Sequence, residues 1–244
     1  MALHFKEIIM PGFFASLILL FTTLTPVAAK ADSINPLDMS TIKQVTITGE
    51  NSRVDFTTTE TAPYIATITG TRTSWLASWY SSWFSSSCDT KTTTEIRDQS
   101  LTIHVIDSPL LSLSDCEVRI TVNLPKDGDI NIDQQALLAR FTGDYRSIHI
   151  NGNAADFSLD GYVSKLDIKG HAVRSDVRLD RTNSNETIRL DSHALDATFS
   201  FLKGTPISYA VDSKASFIDS KLVSTPGAKP SIDIRSEYVR ATIR

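Results

Sequence analysis

The feature of this sequence that most constrains its fold is a short motif that recurs after Pro125. In each copy an apolar residue precedes a polar turn, and the turn ends on alanine. The apolar residues are Ile132, Ile150, Ile168, Leu190 and Val211, and the alanines are Ala136, Ala154, Ala172, Ala194 and Ala215. The alanines follow one another at steps of 18, 18, 22 and 21 residues, and a last copy carries Tyr238 instead, 23 residues after Ala215.

Steps of this size are typical of one turn of a β-solenoid, in which stacked coils form parallel strands about 4.8 Å apart around a shared interior. The motif therefore predicts an all-β chain, wound as a right-handed parallel β-solenoid of about six coils of 18–23 residues over residues 130–244. The alternative is a β-sandwich. Antiparallel hairpins favour Asn-Gly or Asp-Gly turns at half this spacing, and residues 130–244 contain only two such pairs, Asn151-Gly152 and Asp160-Gly161.

The alanine column has a physical interpretation in the predicted solenoid. At a tight corner only a methyl group fits on the inside, so we expect the alanines to face the interior. Replacing Ala172 by Phe would then overpack the corner and cost about 1–3 kcal/mol.

Strand patterns also precede the repeats. From Thr41 onward, short runs rich in β-branched residues alternate apolar and polar positions, as in Leu101–Val105 and Val118–Leu124. We therefore expect residues 32–40 to be a linker and residues 41–244 to form one β-rich domain.

A family resemblance supports the same architecture. The stretch Val118–Pro125, the charged turn from Lys126 to Asp129 and the following strand-Gly-strand units resemble the putative adhesin domain family of bacterial envelope proteins. The similarity covers roughly residues 42–244, with fewer glycines at the turns than is usual in the family. It implies a β-solenoid without enzymatic activity in an envelope or surface protein.

The first 31 residues have the composition of a secretory signal peptide. Lys6 precedes an apolar stretch from Ile8 to Leu24, and small residues then favour cleavage after Ala29 or Ala31. The alternative is an uncleaved anchor, although the uninterrupted apolar run is shorter than the roughly 20 residues of a membrane span. The pattern predicts export to the periplasm or the cell surface.

Export also bears on the two cysteines, Cys88 and Cys116. In an oxidising compartment an isolated pair is most simply a disulfide, which would stabilise the fold by about 3.5 kcal/mol. A redox or metal-binding thiol pair is the alternative, but the sequence lacks the short Cys-x-x-Cys spacing and a nearby histidine.

An aromatic and serine-rich segment, residues 73–88, interrupts the strand pattern. Its large aromatic residues are Trp75, Trp79, Tyr80, Trp83 and Phe84. One hypothesis makes these residues a contact surface for a carbohydrate, a protein partner or the membrane interface, where Trp is enriched. The other makes the segment a cover for an open end of the solenoid, whose strand edge would otherwise be unpaired.

The net charge and the absence of common catalytic motifs argue against several classes of function. The net charge of −4 argues against nucleic acid, which selects for basic surfaces. Gly-x-Ser-x-Gly, phosphate-binding glycine loops and His-Glu-x-x-His are absent from the sequence. His171 and His193 occupy equivalent repeat positions and are a weak metal candidate, because structural zinc usually has four ligands. We expect no metal and no cofactor.

Acidic and basic residues interleave in the repeats, as expected of solvated outer strand faces. The acids are Asp160, Asp176, Asp180 and Asp196, and the arginines are Arg174, Arg178, Arg181 and Arg189. The sequence thus predicts a non-enzymatic, exported envelope or surface protein that acts as an adhesin-like binding or structural module, with an envelope protein or a glycan as partner. The alternative is a carbohydrate-active enzyme, a lyase or glycosidase on a short β-helix.

Overall fold

The computed structural model describes residues 35–72, 91–106 and 116–244. The predicted signal peptide and the aromatic segment 73–88 lie outside these ranges. Cys116 begins a strand, but Cys88 is outside the described residues, so the disulfide remains a prediction. Among the described residues, none belongs to a helix long and apolar enough to cross a membrane.

All regular elements in the described ranges are strands, which confirms the all-β prediction. They are β1 (Leu37–Asp38), β2 (Gln44–Thr57), β3 (Ile65–Arg72), β4 (Thr92–Arg97), β5 (Ser100–Val105), β6 (Cys116–Asn123), β7 (Gly128–Leu179), β8 (Thr187–Ser200), β9 (Ser208–Ser220) and β10 (Ser231–Ile243). The ten strands form one mixed sheet.

The repeats stack in parallel, as their spacing predicted. Residues 44–57 of β2 pair with residues 129–142 of β7, and residues 165–178 of β7 pair with β8. Within β7, side-chain hydrogen bonds join residues 18 apart, from Asn151 to Asp133 and from Asn153 to Gln135. We call each strand segment that crosses this stack once a rung.

The last two rungs do not follow chain order. β10 pairs in parallel with β8 on one side and with β9 on the other, so Tyr238 lies opposite both Ala194 and Ala215. The expectation that Ala194 and Ala215 are neighbours is therefore wrong.

The interior residues of β9 and β10 explain this order. β10 places Ile232, Ile234, Val239, Ala241 and Ile243 inward, and all five are almost fully buried. The register puts serine opposite two of these five residues, with Ser216 of β9 facing Val239 and Ser220 facing Ile243. The more apolar rung is covered on both sides, and the more polar rung lies at the end of the stack, where fewer apolar contacts are available.

The other end of the stack is finished by antiparallel strands. Beyond β2, the parallel strands β5 and β6 each pair with half of its length. β4 then pairs antiparallel with β5, and β3 pairs antiparallel with β6 and with β1.

Inward-facing side chains of successive rungs form one continuous core. The rings of Phe56 and Phe141 stack with centroids 5.0 Å apart, and Phe157 lies 5.3 Å from Phe141. Tyr145 contacts Phe141 edge to face, and its buried hydroxyl donates a hydrogen bond to the Thr142 carbonyl. The Phe56–Phe141 stack thus joins equivalent positions of two neighbouring rungs, and Phe157 packs against Phe141 from the next rung.

Each rung bends at the polar turn of the repeat. Gly170 pairs with Ser192 and Ala172 with Ala194, but the intervening His171 and His193 are skipped by the ladder. The side chains of His171 and Ala172 therefore both face outward, and the alternation resumes at the buried Val173.

This bend corrects the predicted position of the alanines. Ala154 and Ala172 are exposed, and Ala136 and Ala194 are half-buried, so the alanine column lies on the outer surface. The inner side of the bend is occupied by Gly170, where an added Cβ would lie 2.7 Å from the carbonyl oxygen of Gly152. The sequence reading placed the inward position two residues too late, because strict alternation does not continue through a bend.

Candidate functional site

The exposed alanines form the floor of a groove that crosses the rungs, which we call the alanine groove. It encloses about 1030 Å³. Its floor consists of the repeat residues Ala136, Ala154, Ala172, Ala194 and Ala215, with Tyr238 in the rung between the last two. The groove extends to β2 at one end, where Asn51 pairs with Ala136. The spacing that builds the stack therefore also aligns an alanine on the surface of five rungs, and Tyr238 takes this position in β10.

A column of polar side chains precedes the floor residues in the chain. In stacking order these are Gln135, Asn153, His171, His193, Glu237 and Lys214. Neighbours in this column interact: Asn153 donates to Gln135 at 2.5 Å, and Lys214 lies 2.8 Å from Glu237. Because each member is the residue that the ladder skips, the bend itself brings them into one column.

The histidine pair lies in the middle of this polar column. The rings of His171 and His193 are parallel, 4.6 Å apart, and Nδ1 of His193 lies 3.5 Å from a carboxylate oxygen of Glu237. The structure thus brings together the two residues that the sequence paired as a weak metal candidate. In the described ranges, no group of three or more His, Cys, Asp or Glu side chains is arranged to hold a metal ion.

Alternating charges form a second column, two residues after four of the floor residues, namely Ala154, Ala172, Ala194 and Tyr238. Asp156, Arg174, Asp196 and Arg240 follow one another across the rungs. Arg174 lies 4.0 Å from Asp156, and Arg240 forms a bidentate pair with Asp196. The hydrogen bond from Arg240 holds the pKa of Asp196 below its usual value. The interleaved acids and bases of the sequence therefore neutralise one another between rungs.

Two exposed aromatic residues lie near one end of the groove. Tyr238 is 53% exposed and Phe217 is 67% exposed, which is unusual for side chains of this size. Tyr238 contacts the edge of the His193 ring, with centroids 5.5 Å apart. From the sequence, Tyr238 was noted only as a substitute for alanine, and Phe217 was missed. The available signal for Phe217 was an aromatic residue at a repeat position that four of the other five copies fill with Asp or Arg.

Asp196 and Glu237, two acidic residues at or beside the groove, lack the raised pKa of a glycosidase's proton donor. A glycosidase needs one carboxyl whose pKa is raised so that it can donate a proton. Here Arg240 lowers the pKa of Asp196, and the hydrogen bond from Lys214 lowers that of Glu237. Both groups act as anions that accept hydrogen bonds.

The predicted contact residues Trp75, Trp79, Tyr80, Trp83 and Phe84 lie outside the described ranges, and they remain a prediction. Among the described residues, the alanine column lines a groove of about 1030 Å³.

No family model matches this chain, and no curated protein matches it. A putative cell adhesion protein from Clostridium sporogenes is similar in structure at 10% identity and a TM-score of 0.46, covering 86% of this chain and 94% of its own. A putative adhesin from Bacteroides fragilis, at 10% identity and a TM-score of 0.41, covers 85% and 94%. One from Parabacteroides distasonis, at 11% identity and a TM-score of 0.24, covers the same shares.

Proposed function

We propose that this chain is a non-enzymatic, exported binding module of the bacterial envelope or cell surface, and that the alanine groove is its binding site. The observation that carries the proposal is the groove itself. It crosses successive rungs, has a methyl floor, and is bordered by charges that are already paired. A surface of this kind suits an extended ligand, whereas catalysis requires titratable groups that converge on one reacting atom.

The proposal includes the finer architecture. We infer that the stack is a right-handed β-solenoid of about six coils, which begins at the N-terminal strands and whose last two rungs are exchanged in order. Right-handed winding is favoured because strands with the usual twist return to the same sheet by right-handed connections. The sequence of the first 31 residues supports export. The aromatic segment 73–88 remains a second candidate contact region.

A substitution on the groove floor tests the proposed site. Phe at position 172 would fill the groove from an exposed position, so we expect Ala172→Phe to change stability by less than about 0.5 kcal/mol. Binding to isolated envelope fragments of the source bacterium, measured by cosedimentation, should fall at least about tenfold, as expected if a residue at the centre of an interface is blocked.

Ser158→Phe is the matched control. Ser158 lies on the same outward strand face, four residues after Ala154, but does not line the groove. It should leave binding unchanged. The proposal is wrong if both variants bind as well as the original protein, or if both lose binding to the same extent.

A further inference from the structure

The charges, floor and rim of the groove together indicate its ligand. We propose that the alanine groove binds an uncharged, linear polysaccharide, which lies across the rungs with the apolar faces of its sugar rings on the floor. This inference rests on the proposed function and specifies its ligand class.

Charge is the first argument. Five charged side chains line the groove: Glu117, Asp156, Arg174, Asp196 and Arg240. Each has a partner of opposite sign in the chain. Arg53 lies 3.6 Å from Glu117, and the other four form the alternating column already described. An ionic ligand would have to compete with these pairs for its counterion, whereas an uncharged ligand leaves them intact.

The shape and chemistry of the floor supply the second argument. A sugar ring has a face of C–H groups and a rim of hydroxyls. Methyl side chains let such a face approach the sheet closely, and Val173 and Leu195, which lie just below the floor, are also apolar. Tyr238 and Phe217 add exposed aromatic surface near one end, where rings can pack on rings.

The rim supplies the third argument, because it repeats. Neighbouring rungs lie about 4.8 Å apart, so the four central rungs offer a hydrogen-bonding side chain at regular intervals along the groove. Carboxylates of Asp156 and Asp196 accept hydrogen bonds, and the guanidinium groups of Arg174 and Arg240 donate them. A polymer of hydroxylated units can use this series, because a hydroxyl group can donate to the carboxylates and accept from the guanidinium groups in turn.

Other extended ligands fit less well. A peptide that adds to a sheet needs unpaired backbone groups. The backbone beneath the groove is instead paired between rungs, as in the ladder from Ala172 to Ala194 and on to Tyr238. An acyl chain needs enclosure, since its free energy of binding comes from removing apolar surface from water. The exposed floor residues Ala154 and Ala172 show that the groove is open to solvent along its side.

The test is a calorimetric titration of the full mature chain with linear hexasaccharides of glucose, mannose, galactose and N-acetylglucosamine. Oligogalacturonate of the same length and palmitate serve as anionic and lipid comparisons. We expect saturable binding of at least one neutral hexasaccharide, with an affinity that does not depend on salt. Ala172→Phe and Tyr238→Ala should each weaken it at least about tenfold, and Ser158→Phe should not.

Two results would overturn this inference. One is that no neutral hexasaccharide binds, and the other is that oligogalacturonate or palmitate binds more tightly in an Ala172-dependent manner. If envelope fragments still bind through the groove while every neutral hexasaccharide fails, the ligand class is wrong and the proposed function stands. If Ala172→Phe changes neither the binding of envelope fragments nor the binding of saccharides, both the ligand class and the proposed function are wrong.

Discussion

Replacing Gly161 by alanine is expected to destabilise the protein by about 3 kcal/mol or more. Gly161 has a φ of +145°, and an added Cβ would lie 2.2 Å from the carbonyl oxygen of Gly143 in the rung below. The backbone has little freedom to move away, because the Gly161 carbonyl accepts a hydrogen bond from the Asp180 amide. Urea unfolding of the original and variant proteins measures the difference.

Gly204→Ala separates the cost of the positive φ from the cost of the close contact with the Gly143 carbonyl. Gly204 also has a positive φ, of +85°, but no atom lies within 4 Å of its added Cβ. This control should cost only about 1 kcal/mol, from backbone strain alone. Equal losses in the two variants would show that Gly143 and Gly161 do not lie in contact on neighbouring rungs.

Replacing Ile234 by alanine should cost about 2–5 kcal/mol, because it removes a fully buried side chain from the covered rung β10. The comparison is Val211→Ala at the paired position of β9. Val211 is only partly buried at the end of the stack, so we expect a loss of about 1 kcal/mol. Thermal or urea unfolding gives both values. If β9 instead lay between β8 and β10, Val211→Ala would approach the cost of a core substitution.

The stacking of the repeats could be predicted from the sequence, because the spacing between successive copies of the motif can be read directly from it. Ala172 and Ala194 pair as their positions predicted, and His171 and His193 stack for the same reason. The alternating Asp and Arg residues were also correctly placed on solvated strand faces, as their exposure shows.

The order of the last two rungs could not be predicted in this way. Both β9 and β10 carry the repeat motif, and the choice between them depends on which interior packs better against β8. That comparison involves residues 44 positions apart, such as Ala194 and Tyr238. The serines of β9 were the available signal that β9 has the more polar interior. That they face inward is known only once the position of the bend is known.

The candidate site could not be predicted from the sequence for a related reason. A groove is a property of the assembled surface, and the alanines line it because two consecutive residues face outward at each bend. A reading that assumes strict alternation assigns the same alanines to the interior. Likewise, Arg240 and Asp196 become partners only through the insertion of β10 next to β8.

The most direct test of this account is an engineered disulfide across the inserted rung. Ala194 and Tyr238 are paired on adjacent rungs, about 4.8 Å apart, which lies within the Cα separation of a disulfide. Ala194 and Ala215 are two rungs apart, about 10 Å, which is too far. Mass spectrometry after mild oxidation and proteolysis should find a crosslink in Ala194→Cys with Tyr238→Cys and none in Ala194→Cys with Ala215→Cys. The reverse result would contradict the stacking order on which the groove depends.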